Sequence, residues 1–460
     1  MTATKNTCEN ECRSDLSPAL PRLRRVLSLP DLIIYGIVSV TPSAPVTVFG
    51  LAVVMSRGHA VDTILIAMVA MLLTAFSYGR MASVYPSAGS AYAYVGRGLN
   101  PHPGFLAGWA MLLDYLAIPI FCTIYASLTL QRLVPGVSYT VWVTLIVGAI
   151  TALNLRGIRV TARINQILLL IMGSVLVAFI ILAVRYLARQ HGWSGLFSTV
   201  PFYNPQTFDF NSLRRATAFA ALTYGGFDAV TTLAEDAKNP RRNVLLATVL
   251  VCLFTGLFGG LLVYLGQLVW PDYHTFPNIE TAFYDASRRV GGVWLFQGIA
   301  AILVVAMFGS GFTGQVGAAR LLFAMGRDKV LPNRVFAYLS PKRSNPTRNI
   351  MIVGVLTFAG ALLMSYELSA EVLNFGMFFA FMGVNLAAIR QFYFLRQRRE
   401  LLRDAVTPGL GFLFCLGIWW SLSPPAKIAG GLWFLVGLAY NLVQTRGWRI
   451  PPPMIDSSDL

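Results

Sequence analysis

The chain is poor in charge. Only 12% of its 460 residues are Asp, Glu, Lys or Arg, about half the share usual in soluble domains. A water-soluble surface of this size would need far more. Cysteine is scarce as well, five residues in all, which excludes a disulfide scaffold. Cys8 and Cys12 lie in a polar N-terminal stretch; Cys122, Cys252 and Cys415 lie in apolar runs, where a thiol acts as a small packing group. The four histidines, His59, His102, His191 and His274, fall in connections, and none is spaced as a metal ligand pair. There is no Gly-x-x-x-x-Gly-Lys-Ser/Thr phosphate loop and no Gly-x-Ser-x-Gly nucleophile elbow. Disorder is excluded by 30 Phe, 18 Tyr and 9 Trp.

What the chain has is apolar sequence, 56% of it. The runs fall near 32–55, 61–79, 104–130, 138–155, 164–187, 213–235, 244–270, 293–324, 349–366, 371–394, 409–422 and 428–445. A membrane helix needs roughly 20 apolar residues, so the expected fold is an all-α polytopic membrane protein of about 12 spans. The first run is too long for a signal h-region and lacks a cleavage pattern, so it reads as the first span. Twelve spans put both ends on one side. The tails and even-numbered connections hold 27 of the 36 Lys and Arg. The positive-inside rule then makes both termini cytoplasmic, with anionic lipid headgroups facing the basic side. The net charge of +16 is thereby explained by topology and requires no nucleic acid.

Two runs are interrupted. Run 1 carries Gly36, Pro42 and Pro45 in Tyr35-Gly-Ile-Val-Ser-Val-Thr-Pro-Ser-Ala-Pro45, and each proline removes a helical hydrogen bond. Run 6 carries Thr223-Tyr-Gly-Gly-Phe-Asp228. The breaks are five spans apart, the pattern of paired discontinuous helices around a transport site; the bland alternative is a pair of packing kinks. The expected site residues are Ser39 and Thr41 from run 1 with Tyr224, Gly225 and Asp228 from run 6. Among the 20 acids, only Asp114 and Asp228 are read as lying well inside apolar runs. Asp228 is either a counter-charge for a cation, a proton carrier, or a cap for the second half-helix. For Asp114 the preferred reading is a hydrogen bond to a neighbouring helix, with an accessory role as the alternative. Glu235 and Asp236 are expected to form solvated or gating ion pairs. Gly309, Gly311, Gly314 and Gly317 in run 8 are read as close helix packing.

Four stretches carry a resemblance: Ser77-Tyr-Gly-Arg-Met-Ala-Ser-Val-Tyr-Pro-Ser-Ala-Gly-Ser-Ala-Tyr-Ala-Tyr94, Gly104-Phe-Leu-Ala-Gly-Trp109, Gly226-Phe-Asp-Ala-Val-Thr-Thr-Leu-Ala-Glu-Asp236 and Ala319-Arg-Leu-Leu-Phe-Ala-Met-Gly-Arg-Asp-Lys-Val-Leu-Pro332. Over about residues 22–445 the chain resembles the amino acid–polyamine–organocation permeases. The Gly226-to-Leu233 run and Leu113-Asp-Tyr-Leu116 look most like the putrescine-importer branch. The resemblance implies a five-plus-five inverted repeat of the leucine-transporter type plus two C-terminal helices. In that frame residues 1–30 are a cytoplasmic tail, 31–200 and 201–400 the two repeats, 401–446 spans 11 and 12, and 447–460 a second cytoplasmic tail. It also implies alternating access between spans 1, 3, 6, 8 and 10, and coupling to protons or another ion.

Two departures matter. Where family members that carry amino acids have Gly-x-Gly, this chain has Val40-Thr41-Pro42; proline cannot donate, so grip on a substrate carboxylate is weakened. Thr47 stands where the putrescine-importer branch has Asp, and Met172 about where proton-coupled relatives have Lys. The expected function is secondary transport of a small amine, polyamine or amino acid across the cytoplasmic membrane, with an amino acid/amine exchanger as the alternative within transport. A membrane-embedded enzyme would need a catalytic constellation, and a sensor a soluble domain; neither is found in the sequence. No cofactor is expected. The coupling ion, proton or sodium, and the oligomeric state are left open.

Overall fold

The computed structural model describes residues 27–85, 90–157, 162–234, 236–327, 331–340, 345–395 and 399–452. Helices account for all regular structure there; the one β contact is an isolated bridge between Leu27 and Ala237.

Run 1 folds as two helices, α1 (Leu29–Val40) and α2 (Ala44–Met55), bent by 45°. Asp31 starts α1 by accepting from the Ser28 backbone N–H at 2.8 Å. The helix ends at Thr41, whose φ of 62° lies in the left-handed region. Pro42 then supplies no N–H, and Pro45 suits the first turn of α2. Next come α3 (Ala60–Val84), α4 (Ser90–Gly98), α5 (Pro101–Leu133), α6 (Tyr139–Arg156) and α7 (Ala162–His191). Run 6 is α8 (Phe210–Ala220), a 3-10 turn over Ala221–Tyr224, and the single turn α9 (Ala229–Thr232). Asp209 caps α8, accepting from the Ser212 N–H at 2.9 Å and hydroxyl at 2.6 Å; these bonds hold its carboxyl below the usual range. The remainder is α10 (Pro240–Val269), α11 (Ala282–Arg327), α12 (Asn333–Phe336), α13 (Thr347–Leu363), α14 (Tyr366–Ile389), α15 (Thr407–Trp420) and α16 (Pro424–Gln444).

Among the described residues, eight helices are long and apolar enough to cross a membrane, nine with the bent pair α1–α2. The other expected spans are shorter. Run 6 is fragmented, α13 has 17 residues, and α15 has 14 preceded by a π-helical turn. α11 is two helical segments divided at Gly292, whose φ of 69° and ψ of −162° are not helical; the apolar run 8 is the segment after the break. The α4 segment was not anticipated: it is short and only part of it is apolar.

Small residues set the helix contacts, as expected where water supplies no drive between spans. A Cβ on Gly79 of α3 would lie 2.5 Å from Leu245 Cα of α10. In α11, Gly314 faces Ile118 and Gly317 faces Tyr115 of α5, as the run 8 glycines suggest, although Gly309 has open space around it. Gly376 of α14 meets the Ala110 carbonyl of α5. The outer surface is apolar: Leu170, Ile181, Val355, Leu413 and Leu432 are at least half exposed. Such a belt suits lipid and would be a liability in water. The molecule is an integral, multi-pass membrane protein.

Candidate functional site

The breaks in runs 1 and 6 touch. Gly226 has φ 98°, and a Cβ there would stand 2.7 Å from the Ser39 carbonyl oxygen. Glycine is required twice over, by the backbone angle and by the approach of a second main chain. On the run 1 side the Thr41 N–H is spent on the Ile37 carbonyl at 3.1 Å, and the Ser39 hydroxyl on the Tyr35 carbonyl at 2.9 Å. On the run 6 side Gly225 N–H bonds the Leu222 carbonyl at 2.9 Å. Ser39, Thr41, Gly225, Gly226 and Asp228 are all half-buried at this junction.

Asp228 stands at the N-cap position of α9, but its carboxylate makes no capping bond to that helix. It accepts instead from the Ser90 hydroxyl at 3.4 Å. Ser90 opens α4, so the unanticipated short helix brings a hydroxyl to the acid. Asp114 of α5 lies in the electric field of Asp228. The hydrogen bond to a neighbouring helix expected for Asp114 is absent among the described residues; Gly376 lets α14 close on the Asp114 backbone without giving its carboxylate a donor. No lysine or arginine pairs with either acid among the described residues. Tyr78 of α3, fully buried, also lies in the field of both acids, and its hydroxyl has no hydrogen-bond partner among the described residues. Its ring packs edge-on against Phe227 (5.6 Å) and Phe381 (5.5 Å).

Tyr224 is placed differently from the expectation. Its ring is fully buried and its hydroxyl donates to the Ile64 carbonyl at 2.8 Å, so it joins run 6 to α3. Asp236 makes no ion pair among the described residues. Its backbone carbonyl accepts from Leu27 N–H at 3.0 Å, and Lys238 N–H donates to Leu27 O at 2.8 Å, tying the lead-in of α1 to the exit of run 6. Glu235 lies outside the described residues.

Acids at the ends of runs escaped the sequence reading. Asp285, Glu371 and Asp404 are 6%, 1% and 2% exposed, against the expectation that only Asp114 and Asp228 are deep. Each has a partner: Arg132 at 2.8 Å, the Ser423 hydroxyl, and Arg80 at 2.5 Å respectively. They are structural, and the signal that marks them is a basic or hydroxyl partner at a distant run end.

The two sides of the junction differ. On the α2 side, Tyr366 donates to the Thr47 carbonyl at 2.7 Å and packs on Phe121, Tyr125 and Phe219 at 5.3–5.8 Å. Residues Pro42 to Gly50 are all buried there. On the α1 side, Ile34 and Tyr35 are 43% and 40% exposed. Aromatics thus pack over the α2 side, while α1 buries Leu32, Gly36 and Val40 and turns Ile34 and Tyr35 outward. Met172 is buried in the same apolar cluster as Val46 and Phe49 of α2.

Residues 32–457 match the family model described as "Amino acid permease". The chain is 31% identical over 439 residues to the low-affinity putrescine importer PlaP of Escherichia coli (strain K12), covering 94% of this chain and 96% of that one. It is 26% identical over 455 residues to the branched-chain amino acid permease BcaP of Lactococcus lactis subsp. cremoris (strain MG1363), covering 90% and 93%. It is 30% identical over 391 residues to the vacuolar cationic amino acid transporter 4 of Arabidopsis thaliana, covering 80% and 63%. An all-helical membrane fold, two broken helices in contact and a match across nearly the whole chain lead to one assignment: this chain belongs to the amino acid permease family, whose members are transporters and not enzymes.

Proposed function

We propose that the protein is a secondary transporter of small cationic amines, diamines above all, binding them where the breaks of runs 1 and 6 meet. The observation that supports the reading is the pair Asp114 and Asp228: Asp114 lies in the field of Asp228, and no Lys or Arg pairs with either acid among the described residues. Leaving one buried charge uncompensated costs several kcal/mol; a substrate bearing two ammonium groups compensates both acids at once. Asp114 thereby takes the part that Thr47 cannot. Ser39, Thr41 and Gly225 line the junction, and the buried Tyr78 contributes a hydroxyl that, unlike that of Tyr224, is without a partner among the described residues. A substrate carboxylate is poorly served: the Thr41 N–H is occupied and Pro42 has none. The likeness to a putrescine importer favours the same class.

Asp114→Asn should therefore discriminate by charge number. Uptake of a diamine is expected to fall about tenfold more than uptake of a monoamine of equal length, one tenfold step being about 1.4 kcal/mol. Equal losses for both substrates, measured with labelled compounds at matched protein levels, would remove Asp114 from the second ammonium.

Access alternates between the two sides of the junction. The aromatic lid of Tyr366, Phe121 and Phe219 closes one side, and α1 with the Leu27 tie to run 6 guards the other. The sequence carries no nucleotide loop, so the energy comes from a solute or ion gradient. The two repeats, residues 31–200 and 201–400, each begin with a broken helix, as an inverted five-plus-five arrangement requires; residues 401–446 add two helices. The charge split puts both termini and the α1 side in the cytoplasm of an inner or plasma membrane. A reporter fused to the C-terminus is expected to read cytoplasmic, and a reading from the other side would reverse the direction of import.

A further inference from the structure

A recess with arginines in its walls lies at the ends of four apolar segments, and none of the junction residues lines it. It has a volume of about 520 Å³ and is lined by Arg80, Ser83 and Val84 of α3, Arg241 and Leu245 of α10, Gln391, Phe392 and Leu395 after α14, and Arg403 before α15. Three guanidinium groups from three segments converge here. Arg80 is the fixed member: it is 5% exposed, pairs with Asp404 at 2.5 Å, donates to the Arg403 carbonyl at 2.7 Å, and stacks 3.8 Å over Phe392. Asp404 is fully engaged, since its second oxygen accepts from Glu400 N–H at 2.9 Å. The Arg80 anchor thus sets the backbone at Arg403 and leaves the Arg403 side chain at the rim. Among the described residues the Arg403 guanidinium meets one acid, Glu400, at 4.0 Å and well exposed, a contact of little strength in water, and lies 5.9 Å from the centre of the Phe76 ring. Arg241 sits in the first turn of α10, where the helix end adds partial positive charge, and pairs with no acid among the described residues. Gln391 accepts from Tyr85 through its oxygen, which leaves its amide nitrogen as a further donor.

We propose that this recess binds a phosphate-bearing anion, held between Arg241 and Arg403 above the fixed Arg80. Guanidinium forks match phosphate oxygens in pairs. The walls favour a lipid headgroup as the source, because Val84 and Leu395 are 40% and 60% exposed beside the arginines and offer apolar surface for the chains below a phosphate. A soluble phosphate would use the same donors.

The test uses the full chain in delipidated detergent micelles. Binding of phosphatidylglycerol, phosphatidylcholine and inorganic phosphate is measured by native mass spectrometry and by thermal stabilisation, for wild type, Arg241→Gln/Arg403→Gln and Arg241→Lys/Arg403→Lys. Each basic residue near a lipid phosphate is worth a factor of about five, so the double Gln variant is expected to bind phosphatidylglycerol roughly 30-fold more weakly. The double Lys variant, which keeps the charge and loses the forks, is expected to bind more tightly than the Gln variant and more weakly than wild type, and wild type prefers phosphatidylglycerol to phosphatidylcholine. Stabilisation by inorganic phosphate that the Gln variant loses, with no lipid preference in wild type, assigns the site to a soluble anion. Phosphatidylglycerol binding within twofold of wild type in the Gln variant, with no phosphate effect in either, overturns the site. Both substituted side chains are exposed and Arg80 is left in place; if the double variant does not fold, Arg403→Gln alone is expected to lose about fivefold. The readout is binding in micelles, so it is independent of substrate, sidedness and transport.

Discussion

Replacing Asp228 by asparagine is expected to lower uptake of a cationic amine by roughly 100-fold, about 3 kcal/mol, while expression and folding stay near wild type. An ammonium that has left water needs a nearby opposite charge, and an amide supplies only a dipole. The rival account makes Asp228 a helix cap. Asparagine caps about as well as aspartate, so that account predicts little change. The geometry already weakens it: Asp228 occupies the cap position of α9, yet its carboxylate bonds Ser90 and not the α9 backbone. The check is uptake of labelled putrescine, cadaverine and a neutral amino acid at equal protein levels. Unaltered uptake of every transported cation would take Asp228 out of the site.

Gly226→Ala is expected to cost about 3 kcal/mol in stability and to abolish transport. Two effects add. An alanine at φ 98° is strained by about 1–2 kcal/mol, and its Cβ would stand 2.7 Å from the Ser39 carbonyl oxygen, a backbone atom that cannot rotate away. The junction must open for the methyl to fit, which moves Asp228 relative to run 1. Gly309→Ala is the control. Gly309 lies in α11 with nothing within 4 Å of the added carbon, so it should tolerate alanine. Folded fraction after graded heating, followed by size exclusion, reads the stability difference. Indistinguishable melting of the two variants would contradict the contact between the breaks.

Much of this arrangement is legible in the sequence, and the reason is local. Pro42 and Gly225-Gly226 announce a broken helix by their own backbone chemistry, whatever surrounds them. The run boundaries follow from the cost of exposing polar backbone to lipid. Other features depend on residues far apart in the chain, and nothing local marks them. The Tyr224 hydroxyl reaches the Ile64 carbonyl, 160 positions away, so its place in the core and not in the cavity follows from packing alone. Arg80 and Asp404 are 324 positions apart, and nothing adjacent to Asp404 in the chain marks its partner. The apolar neighbours of Asp114 suggest a hydrogen bond to an adjacent helix; that it lies in the field of Asp228 follows from the three-dimensional fold alone. Ser90 reaches Asp228 because α4, too short to register as a span, opens beside the junction.

Counterflow in proteoliposomes tests the central claim most directly. Vesicles carrying the purified protein are loaded with an excess of one unlabelled compound and exposed to labelled putrescine, with no imposed ion gradient. The account predicts transient accumulation of label when the interior holds a diamine, a weaker response for a monoamine, and none for a neutral amino acid. Accumulation driven by interior neutral amino acids, with no response to any amine, would contradict a cation site built on Asp228 and Asp114.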